Sequence, residues 1–159
     1  MLLMIREQKG RYRPANESEV LNAAQSVLAG RLQGCDALTS PSSVREYLKV
    51  KLGGLEHEIF ALVHLNAKNC VIEYQELFRG TVSQCSVHPR EVVKECLARN
   101  SAALILVHNH PSGVANPSQS DETLTQTLKT TLALVDVRVL DHLIIAGNTI
   151  VSFAERGIL

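Results

Sequence analysis

His108 and His110 stand two residues apart in the stretch His108-Asn109-His110-Pro111-Ser112-Gly113, with Ser118 and Asp121 following. Imidazoles and carboxylates are ligands for first-row divalent metals. The apolar run Ala102-Ala103-Leu104-Ile105-Leu106-Val107 leads directly into His108 and reads as a buried strand. Alternation along a strand puts residues i and i+2 on one side, so both imidazoles can converge on one point. Pro111 ends the strand, and Ser112-Gly113 opens a turn by which the chain can fold back. Asp121, at the start of the next helix, then supplies a third ligand. Two histidines and one carboxylate leave one position of a tetrahedral ion free for water, the arrangement of a catalytic rather than a structural zinc site. The same donors suit non-haem iron, so the residues alone leave the metal open.

Read in full, the pattern is His-x-His, seven residues, Ser, two residues, Asp, and it resembles that of the JAMM (MPN-plus) metalloprotease domain. Gly80-Thr81 and Val87-His88-Pro89-Arg90-Glu91-Val92 are similar to the segment that precedes this motif in RadC proteins. Leu140-Asp141-His142-Leu143-Ile144-Ile145 and Ser152-Phe153-Ala154-Glu155-Arg156-Gly157 resemble the family's C-terminal signature, so the resemblance runs from about Val44 to Leu159. It implies an α/β fold, a mixed sheet covered by helices of the JAMM/MPN-like (cytidine-deaminase-like) kind, over residues 38–159, with an arm and a helix in residues 1–37. It implies zinc as the ion held by His108, His110 and Asp121. It also implies a glutamate base on an earlier strand, for which Glu58 is the candidate. Glu56 shares the parity of Glu58 but lies one pleat further out and ranks second. Ser118 matches the motif serine, whose hydroxyl would orient the water or stabilise the tetrahedral intermediate; a helix cap is its bland role, and the two can coexist.

The activity implied is zinc-dependent hydrolysis of a peptide or isopeptide bond by metal-activated water, with a peptide or protein as substrate. Asn109 stands where eukaryotic JAMM isopeptidases carry Ser or Thr, as it does in RadC proteins, and the insertions that grip ubiquitin have no obvious counterpart. The rival reading is a non-catalytic or DNA-associated repair factor. Full-length RadC proteins carry an N-terminal helix-hairpin-helix-like region for which residues 1–37 have no room, so the match is to short stand-alone members. The formal net charge of zero also argues against a broad electrostatic grip on nucleic acid. A short basic stretch, Arg6, Lys9, Arg11 and Arg13, is all that favours it. An HNH nuclease fails on spacing, and a zinc nucleobase deaminase fails because its Pro-Cys-x-x-Cys pair is absent.

Among other polar residues, His88 is expected to cap a helix or line the cleft, His142 to be a hydrogen-bonded core residue, and His57 and His64 to lie at surface or edge positions. Asp141 is given no catalytic role. Cys35, Cys70, Cys85 and Cys96 show no Cys-x-x-Cys spacing, and free thiols in a cytoplasmic protein are expected. No apolar stretch approaches the length of a membrane span, and no signal peptide is visible. An exposed sheet edge or the apolar first helix could support a homo-oligomer.

The elements that must position the motif follow from periodicity. Arg6 to Arg13 reads as a mobile arm. Glu19 to Leu32 is a helix capped by Asn16, and a second helix begins at Pro41, buries Val44, Leu48 and Leu52, and stops at Gly53-Gly54. Strands are expected over Glu58–Leu65 and Cys70–Leu77, with a third ending near Val87. A helix from Pro89 to Ala98 precedes the strand into His108. A helix over Asp121–Leu134 and a closing hairpin, Val137–Ile145 with Thr149–Phe153, complete the chain.

Overall fold

The computed structural model describes residues 3–6, 10–32, 41–81 and 86–159. Its centre is a five-stranded mixed sheet in the order β4-β3-β5-β6-β7. Strand β3 (Ile59–Leu65) is buried along its whole length between β4 (Val71–Arg79) and β5 (Ala103–Asn109), antiparallel to both. Strand β5 runs parallel to β6 (Arg138–Ala146), which pairs antiparallel with β7 (Thr149–Ser152). Sequences as continuously apolar as those of β3 and β5 belong where both faces of a sheet are covered.

Alternation divides the core accordingly. Ile59, Ala61, Val63, Leu65, Ala103 and Val107 face α2 (Pro41–Leu52), which buries Val44, Leu48 and Leu52 against them. Helix α1 (Glu17–Leu32) adds Leu28 and Ala29 from outside. Phe60, Leu62, Leu104 and Leu106 face the other way, towards α3 (Pro89–Ala98) and α4 (Gln119–Ala133). Helix α4 is the crossover between the parallel strands β5 and β6, and this topology returns its first turn to the carboxyl end of β5. A short helix α5 (Phe153–Arg156) closes the chain over β6.

Asn16 caps α1 as expected, accepting from the Glu19 amide at 2.9 Å while the Glu19 carboxylate accepts from the Asn16 amide at 2.8 Å. The expected mobile arm is instead a two-stranded hairpin, β1 (Met4–Arg6) with β2 (Tyr12–Pro14), pinned to α1 by a two-point Arg13–Glu19 ion pair. Three-residue strands are too short for a period to show. The expected third strand falls largely on residues 82–85, outside the described residues, and residues 86–88 are not in a strand. Phe153 begins α5 and does not extend β7.

Two polar expectations are corrected. His64 is wholly buried, with Nδ1 at 2.8 Å from Ser101 Oγ and Nε2 at 3.0 Å from Gln75 Oε1. It lies in the central β3, where a polar ring persists because both nitrogens find partners. Cys70 is disulfide-bonded and not a free thiol, since spacing in the sequence says nothing of proximity in the fold. Cys96 is free, and burial pushes its thiol up to about 11. Cys35 and Cys85, and the expected boundary between residues 37 and 38, lie outside the described residues. Among the described residues no helix is long and apolar enough to cross a membrane.

The end of α2 meets the β6–β7 turn closely. A Cβ on Gly53 would lie 2.6 Å from the Gly147 carbonyl oxygen and 2.7 Å from that of Lys49. Both obstacles are backbone and cannot swing away. Gly53→Ala is therefore expected to lower the unfolding free energy by about 1–3 kcal/mol, the range for overpacking, as read from a urea titration; unchanged stability would show that the helix end yields freely.

Candidate metal centre

The site grows from the carboxyl end of β5. His108 sits on the α3–α4 face of the sheet, opposite Phe60 in the β3–β5 register, and its ring stacks on Phe60 at 6.3 Å between centroids and 18° between planes. Asn109 turns to the other side, and His110 returns to the face of His108. The His110 amide donates to the Ile145 carbonyl at 2.8 Å, which ties the ring's backbone to β6. Gly113 then takes a left-handed φ of +79°, a conformation that suits glycine, and its amide closes the turn on the His110 carbonyl at 3.1 Å. This turn brings Val114 back beneath the ring, where its carbonyl meets His110 Nδ1 at 2.7 Å.

Ser118 caps α4. Its hydroxyl accepts from the Asp121 amide at 3.2 Å and donates to Asp121 Oδ2 at 2.7 Å, while its own amide donates to the same oxygen at 2.7 Å. The capping box thus both starts the helix and aims the carboxylate. Asp121 Oδ1 lies 3.3 Å from His108 Nε2, Asp121 Oδ2 lies 3.7 Å from His110 Nε2, and the two Nε2 atoms are 2.9 Å apart. Burial works against ionisation of Asp121, but the neighbouring His108 ring and the hydrogen bonds from Ser118 outweigh it and hold the carboxyl well below its usual range.

The donor set fits a cation. A backbone carbonyl only accepts, so His110 Nδ1 carries that ring's proton in the Val114 contact and Nε2 presents its lone pair inward. The ionised Asp121 carboxylate is likewise acceptor-only. Together with His108 Nε2 these atoms lie within 4.8 Å of one another, the three groups that could hold a metal ion. A divalent cation placed among them would meet the His110 Nε2 lone pair and the anionic carboxylate.

Glu58 immediately precedes β3. Its amide donates to the Thr81 carbonyl at 3.0 Å, and its carbonyl accepts from the Gly80 amide at 2.8 Å. The half-buried side chain lies near enough to the centre for its groups to act on the carboxyl. Burial raises its carboxyl pKa, the charges of His108 and His110 lower it, and that of Asp121 raises it again, with a net rise. Glu56, the second candidate, is exposed. The structure therefore brings His108, His110, Asp121, Ser118 and Glu58 to one end of the sheet.

Other residues that hold this arrangement are harder to see in a sequence. The buried Asn109 amide donates from Nδ2 to the His57 carbonyl at 2.9 Å and accepts on Oδ1 from the Ile59 amide at 2.7 Å. It grips the backbone on both sides of Glu58, so the residue between the two histidines fixes where the glutamate stands. His142, legible only as a core histidine, touches His108 Nδ1 through Nε2 at 2.9 Å. His88 is the N-cap residue of α3 but makes no side-chain cap bond, and its ring meets the edge of Phe78 at 5.9 Å. Asp141 accepts from Ser152 Oγ at 2.6 Å and from the Ala154 amide at 3.0 Å, anchoring α5 on β6.

Residues 38–158 match the family model described as the RadC-like JAB domain. A UPF0758 protein of Leptothrix cholodnii is 55% identical over 149 residues, covering 92% of this chain and 67% of the relative. Another from Nitrosomonas eutropha is 56% identical over 140 residues, or 88% and 62%. A third, from Vibrio cholerae, is 56% identical over 141 residues and 89% of each chain. The chain thus spans about two thirds of the length of the first two relatives.

The Asn109 clamp makes a prediction. Asn109→Ala leaves the Ile59 amide and the His57 carbonyl without that partner beside buried strands, a loss of about 1–3 kcal/mol for each group left unsatisfied. Denaturant unfolding is expected to show this loss, and an unchanged midpoint would mean that the backbone around Glu58 is held by other contacts.

Proposed function

The chain belongs to the RadC-like JAB-domain family, and from that premise we propose that it is a zinc-dependent hydrolase of the JAMM metalloprotease type that cleaves a peptide or isopeptide bond. The observation that carries this reading is the convergence of His108 Nε2, His110 Nε2 and the Asp121 carboxylate beside a half-buried glutamate. Three protein ligands leave a tetrahedral ion one open position, which suits catalysis and not mere structural bracing.

Zinc in such a set supplies Lewis acidity, polarising the substrate carbonyl and bringing the deprotonation of water to near pH 7. The chain's own residues do the rest. The Glu58 carboxylate removes a proton from the attacking water as the new C–O bond forms at the carbonyl carbon. The resulting carboxylic acid then gives that proton to the departing amine nitrogen as the C–N bond breaks. A carboxyl whose burial raises its pKa suits both halves of this transfer, since it must take up the proton and release it. Phe60, packed against His108, excludes water from the inner side of the centre.

Ser118 is assigned the donor to the developing oxyanion. In the resting arrangement its hydroxyl is donated to Asp121 Oδ2, and that oxygen also holds the Ser118 amide. The hydroxyl can therefore turn to the oxyanion while Asp121 keeps a hydrogen bond. A donor of this kind is worth about 2.7–4 kcal/mol of transition-state stabilisation where it has been removed from other hydrolases.

The test is metal content followed by turnover. Purified protein supplied with zinc is expected to hold one ion per chain, and His110→Ala to lose stoichiometric binding while keeping its circular dichroism spectrum. Full occupancy in that variant would remove His110 from the ligand set. Glu58→Gln is expected to keep the ion and to lose about 10²–10⁴-fold in hydrolysis of a peptide or isopeptide substrate found by screening. Unchanged turnover would place the base elsewhere.

A further inference from the structure

Beneath the centre lies a chain of buried polar groups that the hydrolytic reading does not use. Thr125 and His142 are both wholly buried, on α4 and β6 respectively. Thr125 Oγ1 lies 2.6 Å from the Asp121 backbone carbonyl and 2.6 Å from His142 Nδ1. His142 Nε2 in turn lies 2.9 Å from His108 Nδ1. Asp121 and Thr125 are one helical turn apart, so the chain starts on the backbone of one candidate ligand and ends on the ring of another.

The direction of every proton in this chain follows from one fixed end. A carbonyl oxygen cannot donate, so the Thr125 hydroxyl must spend its single proton on Asp121. With that proton committed, Oγ1 offers only lone pairs to His142, and His142 Nδ1 must be the donor. A neutral imidazole carries one ring proton, and with that proton on Nδ1 the Nε2 of His142 presents a lone pair. That lone pair accepts from His108 Nδ1–H. His108 Nε2 is then the unprotonated nitrogen, and it is the atom that faces His110 and Asp121.

We propose that Thr125 and His142 form a tautomer-setting relay, in which the Asp121 carbonyl fixes His108 with its Nε2 lone pair aimed at the metal position. Both are positioning residues, and the inference rests on the metal-centre reading above. Packing holds the relay in line. Phe60 meets the His142 ring edge-on at 5.8 Å while stacking on His108, and Phe153 lies 4.7 Å from His142 on the far side. His142 is therefore enclosed by the Phe60, Phe153 and His108 rings. The relay also couples the ligands mechanically: a shift of the first turn of α4 moves the Asp121 carboxylate and, through Thr125 and His142, the orientation of His108.

Removing the Thr125 hydroxyl deprives His142 Nδ1–H of its acceptor and favours the opposite tautomer. His142 Nε2–H would then face His108 Nδ1 as a donor and push the His108 proton onto Nε2, where it blocks the metal. The experiment measures zinc affinity of the whole chain by chelator competition in wild type, Thr125→Val, Thr125→Ser, His142→Phe and His142→Gln, with circular dichroism of each. Thr125→Val and His142→Phe are expected to lose about 10–100-fold in affinity, the range for lost partners of metal-bound histidines. Thr125→Ser restores the hydroxyl and His142→Gln restores an acceptor facing His108, so both are expected to regain much of the loss. Imidazole nitrogen NMR of the wild type, which does not depend on any variant folding, is expected to show His142 protonated at Nδ1 and bare at Nε2. A wild type with His142 protonated at Nε2, or a folded Thr125→Val with unchanged zinc affinity, would overturn the relay alone. A wild type that takes up no zinc would overturn the metal-centre reading and the relay with it.

Discussion

The structure is organised around the convergence of two imidazole nitrogens and one carboxylate on a single point. His108 Nε2 and His110 Nε2 face each other at 2.9 Å with the Asp121 carboxylate alongside. The outer nitrogen of each ring is already committed, to His142 in one case and to the Val114 carbonyl in the other. What remains in the middle is Nε2 of each ring with the Asp121 carboxylate, held together by the rest of the fold. Such an arrangement gains little as packing, and it is the arrangement a divalent cation requires.

The central strands and the crossover helix hold those groups. The parallel β5–β6 pair sets His108 beside His142, and the α4 crossover carries Asp121 back to the end of β5. The antiparallel β3 delivers Glu58, whose backbone is gripped by Asn109. His108 and Glu58 are thus each held from a neighbouring strand. Sites built on strands and helices keep their geometry better than sites built on loops alone. The His110 turn is the exception. It is a loop, and a left-handed Gly113 and the Val114 carbonyl hold it.

Much of this was legible in the sequence because the decisive groups are close along it. His108, His110, Ser118 and Asp121 fall within fourteen residues, and the period of a strand and the cap of a helix are enough to bring them together. The division of Phe60 and Leu62 from Ile59 and Ala61 between two faces likewise follows from alternation. What stayed hidden depends on contacts between distant segments. Nothing near His142 marks it as a partner of His108, although a lone histidine inside Leu140–Ile145 had to find one in the core. Thr125 is one turn beyond Asp121 and therefore on its face, yet a threonine there is unremarkable without β6 against it. In the sequence Asn109 is a departure from a related pattern, and its role is invisible until the backbone of β3 lies beside it. His64 reads as an edge residue because a strand with one polar residue looks like an edge until both neighbours are known.

The central claim is that His108 Nε2, His110 Nε2 and Asp121 bind a metal. Anomalous diffraction at the zinc edge from crystals of the zinc-supplied protein tests it most directly. The account predicts one peak per chain at about 2.0–2.2 Å from these three groups, with no fourth protein ligand. A peak held by other residues, or none at this place in fully supplied protein, would contradict it.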